Sequence, residues 1–304
     1  MTAANVVRTA LVQSHWRETP EASLNGVLRL VEEIADPVDL IVLPEFFLGA
    51  PWYFPGRESF KGTVDQTIPG PVTEIFSEIA RRRGCHIVCG TLVEREGDAY
   101  YNTAAVIDDR GAIIGKARKI HRYAAELTAV VAGDAPLIVD LPFGRLGVCV
   151  CSDFWIPETP RLMALRGAEI LAVPGASIVQ NLGITRPCIQ ANAAFNVAAV
   201  LYAGIVGSVT GERGGRSVTV SLGGVSTIAL PERIVASLDA QDAVLQTTLD
   251  MDDLRAQREV DLSFKRSLYF CLHGRRPELY GGLTEPYVGA SDLAGLLRRH
   301  LGVA

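Results

Sequence analysis

The strongest constraint on how this 304-residue chain can fold is an alternation: apolar, β-rich runs recur from end to end, with helical patterns between them. Residues 6–13 read as a strand. Residues 20–35 then place Leu24, Val27, Leu28, Val31 and Ile34 on one helical stripe. A short buried strand at 39–43 and a second helix at 71–83 follow, the helix opening after the Pro69-Gly70-Pro71 break. That helix ends on Arg81, Arg82 and Arg83, which complement its dipole. Strands are predicted at 85–92, 101–108 and 112–118, the last two joined by a turn at Asp109-Arg110-Gly111. Another strand at 144–151 precedes a helix at 159–166 and a strand at 169–173. Four more strands are expected near 217–220, 224–230, 234–238 and 244–250, with a last helix at 291–301. No repeat, linker or composition break divides the series, so it predicts one α/β domain with a mixed sheet flanked by helices.

Composition narrows the function. With 48% hydrophobic and 21% charged residues, the chain is too apolar for long disorder. A net charge of −5 offers no electrostatic footprint for nucleic acid. No charge occurs between Arg186 and Glu212, a length that suffices to cross a bilayer. Gln190, Asn192, Asn196, Gly204 and Gly207 interrupt it, and it reads instead as a helix through Phe195 followed by a strand buried on both faces. Arg8 sits inside the only apolar stretch near the N-terminus, so neither a secretory signal nor a membrane partner is expected. Six cysteines are too sparse for a disulfide scaffold and point to free thiols in a reducing, cytoplasmic setting.

Three predicted strands end in reactive residues, where α/β proteins tend to place functional groups. Residues 40–44 lead to Glu45 in DLIVLPEFF, residues 113–118 to Lys119 in GKARKIH, and residues 146–150 to Cys151 in LGVCVCSDFW. A carboxylate, an ammonium and a thiol are a sufficient set for acyl transfer. Each alone has a plainer reading: a loop carboxylate, a solvated strand end, an inert core thiol. Cys149, two residues before Cys151 on the same predicted strand, is expected to face the same side. His121 offers a formal Cys–His pair, but a structural role suits it better. Cys85, His86 and Cys89 could be written as metal ligands, but Cys85 and Cys89 on one strand lie about 13 Å apart, too far to share an ion. No metal is expected.

These residues sit in segments that resemble the nitrilase superfamily, the carbon–nitrogen hydrolases. VDLIVLPEFFL is similar to the family's first motif, whose Glu is the general base. GKARKIHR is similar to the second, whose Lys is catalytic, and LGVCVCSDFWIPETPRLMALRGAEILAVPGA to the nucleophile elbow. Weaker similarity extends through GTLVER, YNTAAVID and RRPELY. The resemblance implies a four-layer αββα sandwich, with a hydrolase domain over 1–280 and a tail over 281–304 that contributes to an oligomer interface. It implies Glu45 as base, Lys119 as oxyanion holder, Cys151 as nucleophile with its thiol pKa lowered by Lys119, and Glu126, seven residues after Lys119, as a positioning acid. It implies homo-oligomers, usually built on a two-fold dimer, and no cofactor.

The expected substrate is a small amide, with N-carbamoyl compounds second and nitriles third. Ser152 departs from the aromatic residue often found there, and its backbone N–H is expected to help hold the oxyanion. Phe154 and Trp155 are expected to line the acyl pocket, with Trp52, Tyr53 and Phe54 forming a wall or lid. A ligand-binding protein on the same scaffold is the non-enzymatic alternative, and the complete Glu–Lys–Cys set argues against it.

Overall fold

The structure, a computed structural model, describes residues 5–49, 62, 64–213, 216–287 and 292–301. In chain order it runs β1 (Val6–Gln13), α1 (Pro20–Glu32), β2 (Leu40–Val42), β3 (Asp65–Gln66), α2 (Pro71–Arg83), β4 (His86–Glu96), β5 (Ala99–Ile107), β6 (Ile113–Arg118) and α3 (Glu126–Ala129). It continues with β7 (Leu137–Leu141), β8 (Gly144–Val148), α4 (Glu158–Leu165), β9 (Ile170–Gly175), α5 (Leu182–Asn196) and β10 (Ala199–Gly204). The hairpin β11 (Val206–Arg213) and β12 (Arg216–Gly223) precedes β13 (Thr227–Leu230), β14 (Arg233–Ser237) and β15 (Ala243–Asp250). Helices α6 (Met251–Arg258), α7 (Phe270–His273) and α8 (Leu293–Leu301) close the chain, α8 lying against α3.

Two sheets form the interior. One has the order β15-β1-β2-β4-β5-β6, with β3 added beside β4; the other has the order β14-β13-β10-β9-β8-β7. Their facing surfaces share an apolar core in which Leu11, Leu40, Val42, Val88 and Val106 meet Leu146, Val148, Ile170, Leu201 and Ile228. On the outer face of the first sheet, Val27 and Val31 of α1 and Phe76 and Ile79 of α2 pack over Ile41, Ile87 and Ile107. On the outer face of the second, Met163 of α4 and Ile189 and Ala193 of α5 cover Leu171, Val173 and Val200. Helix, sheet, sheet, helix: the four-layer sandwich is present. Parallel strands β2, β4, β8, β9 and β10 are apolar on both faces because both faces are covered.

The uncharged stretch resolves into α5 and β10, and no described helix is long and apolar enough to cross a membrane. One predicted strand is shorter than expected. The strand predicted over 144–151 stops at Val148, and Cys151 opens a tight 3-10 turn with φ of 46°. The expectation that Cys149 and Cys151 share a face therefore fails. Cys149 packs outward against Met163, while Cys151 packs against the core between the sheets. Strand alternation does not carry through a residue in the left-handed region.

Candidate active site

Glu45 lies three residues beyond β2, where the chain must turn out of the sheet. Leu43 N–H donates to Val88 O, Thr91 N–H to Pro44 O, and Phe46 N–H to Thr91 Oγ1, so β4 holds the turn on both sides. Gly90 makes the approach possible: its φ is 41°, and a Cβ there would lie 2.2 Å from Pro44 O. The pairing of β4 with β5 shifts register at this point, between Cys89 and Leu92.

Lys119 immediately follows β6 and is pinned to β5 by its N–H on Asn102 O at 2.8 Å. Its Nζ lies 3.0 Å from Glu45 Oε1 and 2.8 Å from Glu126 Oε2. Glu126 enters from α3, where its Oε2 also accepts the Tyr123 N–H at 2.7 Å. Asn102 bridges the same carboxylates, its Nδ2 donating at 2.8 Å to both Glu45 Oε1 and Glu126 Oε1. All four side chains are buried. Cys151 is close enough to this cluster that the charges of Glu45 and Lys119 act on its thiol. The structure thus brings Glu45, Lys119, Glu126 and Cys151 into one cluster, together with Asn102, which the sequence reading did not single out. The sequence clue was its place in YNTAAVID, an amide side chain on a largely apolar strand.

The residues after the nucleophile fasten its turn to the segment after Lys119. Asp153 accepts from the Ile120 and His121 N–H groups and, at 2.9 Å, hydrogen-bonds His121 Nδ1; it also accepts from Val150 N–H. Ser152 Oγ donates to His121 O at 2.5 Å. His121 is therefore a structural tie, not a partner for the thiol.

Among the described residues, two carboxylates share one ammonium in this buried site. Burial and the Glu126 charge push Glu45 above the usual carboxylate range, outweighing the pull of Lys119. Burial alone would lower the Lys119 pKa, but Glu126 and Glu45 hold it well above its usual range. For Cys151, burial and the Glu45 charge raise the thiol pKa, and Lys119 offsets only part of that. Lys119 does pull the thiol pKa down, as expected, but burial and Glu45 outweigh it, so the resting group is a thiol beside a proton acceptor.

Cys151 opens into a narrow cavity of about 20 Å³. Ser152, Trp155 and Tyr123 form one side, and Ala176, Ser177, Ile178 and Asn181 the other. Tyr123 and Trp155 meet edge to face with centroids 6.2 Å apart, and Asn181 Nδ2 donates to Tyr123 Oη at 3.3 Å. Of the residues expected at the pocket, Ser152 and Trp155 line this cavity. Phe154 is not: the 3-10 turn points it into the outer helix layer, 2% exposed, with its ring 5.7 Å from that of Tyr202. Trp52, Tyr53 and Phe54 lie outside the described residues. Tyr123, Ser177 and Asn181 were missed, because each comes from a loop whose approach to the thiol depends on sheet topology. Among the described residues, no group of three or more His, Cys, Asp or Glu is placed to hold a metal ion.

Comparison with known proteins gives the family. The sequence profile of the carbon-nitrogen hydrolase family matches residues 8–259. A nitrilase from Pyrococcus abyssi is 31% identical over 263 residues, covering 85% of this chain and 95% of its own. An omega-amidase from Xenopus laevis is 25% identical over 279 residues, covering 86% and 96%. The solved structure of a carbon-nitrogen hydrolase from Helicobacter pylori superposes with a TM-score of 0.79 at 22% identity, covering 93% of this chain and all of that one. The chain belongs to the carbon–nitrogen hydrolase family.

Proposed function

We propose that this hydrolase cleaves the C–N bond of a small amide through a thioester on Cys151. The observation that carries the reading is the buried cluster of Glu45, Lys119 and Glu126, in which burial and Glu126 keep Glu45 basic, next to a Cys151 that lines a small cavity. In the first half-reaction Glu45 takes the thiol proton as the sulfur bonds to the carbonyl carbon, and the carbonyl π pair moves onto oxygen. Lys119 and the backbone N–H at Ser152 hold that oxyanion. As the pair returns, the C–N bond breaks and Glu45 gives its proton to the departing nitrogen, releasing ammonia or an amine. In the second half-reaction Glu45 takes a proton from water as the oxygen attacks the thioester. The C–S bond breaks, the carboxylic acid leaves, and the sulfur recovers its proton from Glu45.

A resting thiol suits this sequence, since a free anion in so buried a site would add to the charge of the two carboxylates. The cavity's described lining of aromatic, hydroxyl, aliphatic and amide side chains suits an uncharged acyl group of a few carbons. The amidase name of one relative favours amides over the nitriles of the other. A screen of short-chain amides, N-carbamoyl compounds and nitriles for ammonia release, with mass spectrometry to trap acyl-Cys151, tests the reading. Amides are expected to turn over fastest, and Cys151→Ala to lose at least about a thousandfold in kcat. Near wild-type turnover in Cys151→Ala would end this mechanism.

A further inference from the structure

The donors in the site are divided unequally between the two carboxylates, and between the two oxygens of Glu45. Glu126 is loaded at both ends: Oε1 accepts from Asn102 Nδ2, while Oε2 accepts the Tyr123 N–H and pairs with Lys119 Nζ. Glu45 is loaded at one. The hydrogen bonds it accepts from Asn102 Nδ2, at 2.8 Å, and from Lys119 Nζ, at 3.0 Å, both fall on Oε1 and leave Oε2 clear of either donor. A proton arriving at Glu126 must compete with an N–H donor at either oxygen. At Glu45 Oε2 neither Asn102 nor Lys119 stands in its way.

Asn102 makes this division. It lies on β5 opposite Val93 of β4 and is buried. Its backbone O accepts the Lys119 N–H at 2.8 Å, so the residue that ties down the lysine's backbone also binds both of the lysine's carboxylates. Only the NH2 end of an amide can face two carboxylate oxygens, because it has two hydrogens to give and the oxygen end has none. Among the described residues, the Asn102 Oδ1 finds no hydrogen-bond partner. A buried acceptor left unpaired destabilises the fold, and an amide placed only to hold the scaffold would be paired at both ends. The two carboxylates alone orient this one.

We propose that Asn102 is a positioning residue for the proton transfer: by holding Oε1 of Glu45 and Oε1 of Glu126 on one NH2 group, it fixes Glu45 with Oε2 as the oxygen that takes and returns the proton. The inference rests on Glu45 being the base of the proposed reaction, and adds the atom at which it works. Asn102 acts through Glu45, not on substrate. Its two N–H groups favour the ionised carboxylates, so it also opposes the upward push that burial and Glu126 exert on Glu45. The titratable groups in electrostatic reach of Glu45 are Lys119 after β6, Glu126 on α3, Cys151 after β8 and Tyr202 on β10. Asn102, on β5, is the neutral donor among them.

Asn102→Leu roughly keeps the volume and removes both donors. The expected result is a roughly tenfold loss in kcat on an amide the wild type accepts, with KM within about twofold. Both carboxylates lose a donor to their ionised forms, so the acid limb of kcat/KM moves to higher pH. A purely structural asparagine would lower the melting temperature and leave the limb alone. A wild-type kcat in folded Asn102→Leu, or a limb that stays put or moves down, overturns the proposal. If Asn102→Leu does not fold, Asn102→Ser, whose hydroxyl supplies one donor in place of two, is expected to lower kcat about two- to threefold and raise the limb. An unchanged kcat or an unmoved limb there overturns it equally. Glu45→Gln separates the two readings: loss of turnover in it beside a wild-type Asn102→Leu sinks only the asparagine's role, whereas retained turnover sinks both.

Discussion

Glu45 and Glu94 are each 1% exposed, and each faces cations carried on or just beyond β6, yet they hold their protons in opposite ways. Glu94, on β4, meets Lys116 Nζ at 2.5 Å, Arg118 Nε at 2.9 Å and Thr103 Oγ1 at 2.7 Å. Burial works against its charge, but the hydrogen bonds from Arg118, Lys116 and Thr103 overcome that and hold it below the usual carboxylate range. Among the described residues, Glu45 meets one cation and shares it with Glu126. Its pKa moves up. Burial is common to both, so the local charge balance decides: two cations per carboxylate make a fixed anion, and one cation per two carboxylates makes a proton acceptor. Such a carboxylate is expected at a site that moves protons, and its fully paired counterpart in a scaffold.

The largest test of this contrast is Glu45→Gln. The amide retains acceptors for Lys119 and can no longer accept a proton. We expect kcat/KM on the preferred amide to fall about 10²- to 10⁴-fold, with the fold intact by circular dichroism. A loss below tenfold would mean the proton goes elsewhere. In the wild type, activity requires Glu45 ionised, so it is lost as pH falls through a pKa raised above the ordinary 4.5. The acid limb of kcat/KM should therefore lie above that value.

Glu126→Gln removes the like charge that helps raise Glu45, so the limb should move to lower pH. The Lys119 ammonium also loses a partner at 2.8 Å, and kcat is expected to drop about tenfold. A pH–rate profile that stays put or moves up would remove Glu126 from the account.

Much of the scaffold is legible in the sequence where local signals are punctuated. Helix α2 coincides with its prediction at both ends, because Pro71 starts it and Gly84, with φ of 60°, stops it. Helix α6 was missed for the opposite reason. It follows β15 directly, with Asp250 ending the strand and capping the helix, so no glycine or proline marks the change. Strand β7 was missed although four of its five residues are apolar; it is a short edge strand with mostly half-buried residues. In the site, Glu45, Lys119 and Cys151 are legible from the motifs that contain them. Asn102, Tyr123 and Asn181 are legible only once the strands are paired, since their roles come from contacts across the sheet order. Proximity in sequence misled at Phe154 and Cys149, where one residue with positive φ turned each side chain away from the expected face.

The smallest effect on turnover, and the sharpest control, comes from Glu94→Gln. The substitution removes a buried charge from Lys116 and Arg118, which are 31% and 23% exposed and so partly solvated. We expect kcat, KM and the acid limb to stay within about twofold of wild type, and stability at pH 7 to fall by roughly 1–3 kcal/mol, at the lower end of buried-pair losses because of that solvation. Because the folded pKa of Glu94 is depressed, its contribution is fully present above the unfolded value near 4.5 and is lost as pH falls through the folded one. The stability gap between wild type and Glu94→Gln in urea unfolding should therefore be widest at neutral pH and close in acid. A shift of the activity limb in Glu94→Gln would show that both glutamates share the proton chemistry and that charge balance does not divide them; an unmoved limb with a closing stability gap separates an anion that holds the sheet from one that works on substrate.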